Sequence, residues 1–105
     1  MESLVNTRLG INISRTSFES DINRLTNQLW KLIPMRENGE NWLEQLNTVL
    51  VEIRGLSEIF ASNDEFLILI SKLEGLRVSE DLEFNIYRKT VFESISLLRG
   101  MLNDL

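Results

Sequence analysis

The sequence predicts an all-α fold, a compact antiparallel bundle of four main helices with a short extra N-terminal helix or arm. Three observations predict it. Apolar residues recur every three or four positions through four segments, the spacing that builds one face of a helix. The spans between these segments are short, which favours antiparallel neighbours sharing a single core. The 105 residues include 1 Pro, 5 Gly and no Cys, so breakers are few and no disulfide framework is available to replace a core. The length suits one domain, placed at residues 16–105, with residues 1–15 as the arm.

The arm admits two local readings. Glu2 to Leu9 fits two helical turns closed by Gly10, whereas Leu9, Ile11 and Ile13 alternate as in a short strand. A lone strand in a helical chain needs a pairing partner, which another copy would have to supply. The first main helix starts near Thr16 or Ser17, where Thr16-Ser17-Phe18-Glu19 spells a capping box. Phe18, Ile22, Leu25, Leu29, Leu32 and Ile33 then share a face. Pro34 is expected to stop this helix, because it lacks an N–H and disfavours helical geometry in Ile33. Met35 to Glu40 then reads as a turn around Asn38-Gly39.

The second helix is expected from Asn41, which can cap it with Glu44 three residues on. Trp42, Leu43, Leu46, Val49, Leu50, Ile53, Leu56 and Phe60 form its stripe, and Gly55 inside it marks a kink, a close contact or an early end. The third helix follows Ser62-Asn63-Asp64-Glu65, with Phe66, Leu69, Ile70, Leu73 and Leu76 on one face and Gly75 as a candidate cap. The fourth is expected from about Ser79, with Glu80, Asp81 and Glu83 in its first turn, where the helix dipole favours negative charge. Phe84, Tyr87, Val91, Ile95, Leu98, Leu102 and Leu105 line its core face.

The absence of both His and Cys removes imidazole acid–base catalysis, thiolate nucleophiles and Cys/His zinc sites. The glycines are too scattered to cradle a phosphate. The acidic clusters Asp64-Glu65 and Glu80-Asp81-Glu83 sit at expected helix starts, a role that explains them without a bound cation. The expectation is therefore a non-catalytic chain with no catalytic residues, no metal and no cofactor.

Net charge is −5, distributed as +2 over residues 1–36 and −7 over residues 37–105. The longest apolar run, Phe66 to Ile70, falls well short of the roughly 18–20 residues a membrane span needs. The N-terminus lacks a basic stretch leading into an apolar core, so a cytoplasmic protein without a signal peptide is expected.

Apolar residues off the core stripes point to a partner. Trp30, Met35 and Trp42, with the adjacent Arg36, flank the first turn and belong to residue types enriched at interfaces. Leu67 and Ile68 make the start of the third helix apolar almost all round. On the fourth, Ile86, Thr90, Leu97 and Met101 form a second stripe behind the core face. The expected function is protein binding, as a small subunit, adaptor or inhibitor of a larger partner, with self-association into a homo-oligomer as one form of it. The candidate contacts are Trp30, Met35, Arg36, Trp42, Leu67, Ile68, Ile86 and Leu97. One alternative is a subunit of a nucleic-acid complex touching phosphates through Arg15, Arg24, Lys31 and Arg36. A further alternative is acidic mimicry of nucleic acid by the C-terminal two-thirds.

Overall fold

The structure, a computed structural model, describes residues 4–5, 13–59, 64–79 and 81–103, and the side chains of 16–58, 64–79 and 81–101. Four helices follow a two-stranded ribbon: β1 (Leu4–Val5), β2 (Ile13–Ser14), α1 (Arg15–Glu37), α2 (Trp42–Ile59), α3 (Asp64–Val78) and α4 (Phe84–Asn103). Each helix packs on two neighbours, α1 on α2 and α4, and α3 on α2 and α4, while the diagonal pairs do not touch along their backbones. The cross-links run in opposite directions along the pairs. Arg24 reaches Glu52 while Gln45 reaches the carbonyl of Gln28. Likewise Leu32 meets Tyr87 and Trp30 meets Phe92. The bundle is thus antiparallel and square, about 22 Å across.

The expected stripes are the core. Phe18, Ile22, Leu25, Leu29, Leu32 and Ile33 are buried from α1, Leu46, Val49, Leu50 and Ile53 from α2, and Phe66, Leu69, Leu73 and Leu76 from α3. From α4 come Tyr87, Val91, Ile95, Leu98 and Met101. Met101 corrects the expected back stripe, because it is buried and belongs to the core cluster. The side chains of Phe60, Leu102 and Leu105, and the Ser62–Asn63 part of the third cap, lie outside the described residues.

Pro34 does not end α1, which continues through it to Glu37. Pro34 and Trp30 are both exposed, so the Trp30 carbonyl that loses its helical donor faces water rather than the core. The stop comes five residues later. Gly39 has φ 69°, its N–H donates to the Arg36 carbonyl at 3.2 Å, and Glu40 N–H donates to the Met35 carbonyl at 2.8 Å. That pair of bonds is a Schellman closure with glycine at the left-handed position. Asn41 then caps α2 as expected: its Oδ1 accepts from Glu44 N–H at 3.3 Å and its Nδ2 donates to the Glu44 carboxylate at 3.1 Å.

The fourth helix starts later than expected. Ser79 to Leu82 close a turn through Leu82 N–H and the Ser79 carbonyl at 3.0 Å. Glu83, whose carbonyl accepts from Ile86 and Tyr87 N–H, occupies the cap. Asp81 therefore precedes the helix instead of lying in its first turn. At the N-terminus, Leu4 pairs with Ser14 and Val5 with Ile13 in an antiparallel register. The strand character around Ile13 is real, and its partner comes from the same chain rather than from another copy. Gly10 lies outside the described residues.

Gly55 and Gly75 are both exposed within helices, and a Cβ added at either meets nothing within 4 Å. Neither kinks, caps nor makes a close contact. Alanine should therefore act in opposite senses at different glycines. Gly55→Ala is expected to raise unfolding free energy by about 0.5–1 kcal/mol. Gly39→Ala is expected to lower it by about 1 kcal/mol, since φ is positive there. Urea denaturation of the two variants checks both signs.

Candidate interaction surface

Of the sequence-predicted contacts, the group around the first turn is built into one end of the bundle. Tyr87 is fully buried, and its hydroxyl donates to the Leu32 carbonyl at 2.9 Å. Trp42 is half-buried and meets the Tyr87 ring edge-on at 5.1 Å and 74°. The Phe84 ring lies nearly parallel at 6.2 Å. Arg36 sets its guanidinium over the Tyr87 ring at 4.5 Å, flanked by Trp42 at 5.9 Å and Phe84 at 6.0 Å. Its Nη2 donates to the Leu82 carbonyl, so α1 is tied to the turn before α4. The planar guanidinium suits this place because it can lie on aromatic faces and donate at its edge. Met35 is half-buried beside it in sequence.

Trp30 is elsewhere. It lies on the α4 side of α1, 38% exposed, with its ring edge-on to Phe92 at 5.0 Å and 72°. The two tryptophans therefore serve separate surfaces. Phe92 in turn carries the Arg88 guanidinium over its face at 5.2 Å.

Phe92 borders an open groove of about 890 Å³ along the outer side of α4. Its form follows from residue size at a four-residue spacing. Ser96 and Gly100 lie on the outward row and leave a low floor, while Phe92 rises on the α1 side. The opposite wall is Leu97 with Glu93 from α4 and Lys72 with Glu65 from α3. Lys72 donates to the Glu93 carboxylate at 2.8 Å, and Lys89 approaches the same group at 4.0 Å. The Lys72 hydrogen bond holds the Glu93 carboxyl below the usual carboxylate range.

The second set of predicted contacts divides around this groove. Leu97 lines it and packs in part against the core. Ile68, 49% exposed, lies on α3 between the groove residues Glu65 and Lys72 at helical spacing. Leu67 is exposed about 100° further round α3, away from that face. Ile86 is exposed in the first turn of α4, three turns from Leu97.

The predicted basic track is not gathered into one strip. Arg24 pairs with Asp21 at 3.0 Å and Glu52 at 3.1 Å, Arg36 is held in the aromatic end, and Lys31 is exposed. The Arg15 side chain lies outside the described residues. Sequence reasoning passed over Phe92, Arg88 and Lys89. The row Arg88, Phe92, Ser96, Gly100 at four-residue spacing was the available signal, obscured because Phe92 looks like an edge residue of the core stripe.

Burial pushes the Tyr87 hydroxyl well above its ordinary pKa. The unfolded chain ionises near pH 10 and the folded one later, so stability falls as pH rises from about 10. Tyr87→Phe is expected to lower stability by about 1 kcal/mol near neutral pH through loss of the buried hydrogen bond. Its alkaline decline should also be shallower, as read by denaturation from pH 7 to 11. Comparison of the chain with protein-family models, curated proteins and solved structures finds no match.

Proposed function

We propose that the chain is a non-catalytic protein-binding module, a small subunit, adaptor or inhibitor that presents a helical face to a larger protein. One observation carries this reading. The bundle closes a full core, yet Trp30, Leu67, Ile68 and Ile86 stay substantially exposed, and Phe92 and Leu97 border an open groove flanked by Trp30 and Ile68. Apolar side chains that a finished core does not need are the mark of a surface used in association. The aromatic pair Trp30–Phe92 with Arg88 has the residue types that anchor interfaces. Among the described residues no helix is long and apolar enough to cross a membrane.

Ile68 makes the sharper probe than Leu97, whose partial packing against the core would confuse binding with folding. The tagged chain, isolated from its own cells, is expected to run at a native mass well above 12.2 kDa. Nuclease treatment should leave that mass unchanged. Ile68→Asp should return it to the bare chain while the far-ultraviolet circular dichroism stays helical. A bare monomer from the unmodified chain would overturn the reading, and a mass that collapses with nuclease would transfer it to phosphate binding.

A further inference from the structure

The geometry points to an acidic amphipathic helix of a partner protein as the occupant of the α4 groove. This rests on the protein-binding reading and deepens it. The length is right for a helix: Asn85 and Gly100 mark its ends along α4, a rise of roughly 22 Å at 1.5 Å per residue, or four turns of an opposing helix. The small residues Ser96 and Gly100 on the floor allow a close approach, and a Cβ on Gly100 would meet nothing within 4 Å of its own chain. Phe92 and Leu97 stand on either side as apolar walls, the arrangement that accepts the apolar stripe of a helix laid in a groove.

Charge selects the sign of the partner. The groove carries Lys72, Arg88 and Lys89 against Glu65 and Glu93, a balance of +1 in a chain of net −5. Glu93 is already engaged by Lys72 and Lys89, so its carboxylate is shielded from an incoming group. Arg88 makes no ion pair among the described residues and lies over Phe92, and the Lys89 side chain is 78% exposed. Both belong to the first half of α4, whereas the second half of the groove offers Ser96, Leu97 and Gly100, none of them charged. The fitting ligand is therefore polarised, with carboxylates over Arg88 and Lys89 and apolar side chains over Leu97 and Gly100.

Two labelled 16-residue helical peptides with the same leucine stripe, one flanked by Glu and one by Lys, test this against the full chain. The Glu peptide is expected to bind about tenfold tighter at low salt, against the pull of the chain's overall negative charge, with the difference shrinking as salt is added. Arg88→Glu with Lys89→Glu should reverse the preference, and Gly100→Leu, whose Cβ meets no neighbour within 4 Å and whose side chain raises the floor, should weaken both peptides about tenfold. Circular dichroism verifies that both variants fold. Equal affinity or a Lys preference that still responds to Gly100→Leu overturns the acidic partner but leaves protein binding at the groove standing. Binding indifferent to Gly100→Leu, or no binding of either peptide, overturns the groove as the seat of a helix. Tighter binding of single-stranded DNA than of the Glu peptide would assign the surface to phosphate backbones and overturn the proposal.

Discussion

The hydrogen bond from the Tyr87 hydroxyl to the Leu32 carbonyl is the constraint on which the rest of the bundle depends. Tyr87 is among the largest fully buried side chains, and its polar tip has to find an acceptor once it is inside. The acceptor belongs to α1, the ring it meets edge-on belongs to α2, and its own backbone is in α4. One side chain thus fixes three helices, including the α2–α4 diagonal whose backbones do not touch. With Leu32 set against Tyr87, antiparallel packing places Trp30, earlier on α1, further along α4, where its ring meets Phe92 at 5.0 Å.

Around this fixed end the helices are held by apolar burial, and the charges follow. Each consecutive pair carries one cross-helix ion pair: Arg24–Glu52 between α1 and α2, Arg54–Glu74 between α2 and α3, Lys72–Glu93 between α3 and α4. All are at least partly exposed, so solvent screens them and they contribute little to stability beside the 19 hydrophobic residues buried among the described ones. Their repetition acts on register and neighbour choice, since a helix shifted by one turn would separate the paired charges. The Arg36 site differs in kind. Its guanidinium is stacked on rings and donates to a carbonyl, so its loss would open a contact that no surface charge could replace.

Helix number, order and core faces were legible in the sequence because each rests on a period repeated over many residues. The Asn41–Glu44 cap was legible for a similar reason, since the chemistry is local and both partners are within four positions. Features set by one residue against its surroundings were not. Pro34 alone argues for a helix end, but the buried Leu32 and Ile33 hold the chain helical up to it, and Gly39 supplies the closure further on. The acidic run before α4 suits a helix start, yet the Ser79–Leu82 turn takes up that stretch. Trp30 and Trp42 look alike in sequence at the edges of their stripes. Only the tertiary arrangement gives one to the bundle end and the other to the α4 face. The pairing of Leu4–Val5 with Ile13–Ser14 spans seven intervening positions, too many for a turn signal to fix.

The groove is best understood from what its glycine does not do. Gly39 is required by its own backbone, which is left-handed there. Gly55, Gly75 and Gly100 are helical, and none has a neighbour that a methyl group would strike. Each therefore weakens its helix by about 0.5–1 kcal/mol relative to alanine with no compensation from packing. On that ground alone the three are equivalent, and glycine by itself designates nothing. What separates Gly100 is its position, one turn beyond Ser96 on the outward row and beside Leu97, where the lack of a side chain is what keeps the floor below its walls. Gly55 and Gly75, both exposed, lie on α2 and α3 and do not line this groove. Local destabilisation at Gly100 coincides with a shaped apolar surface and with the exposed cations Arg88 and Lys89 at its far end. That coincidence is why the proposed contact is placed on the outer face of α4 rather than at the aromatic bundle end.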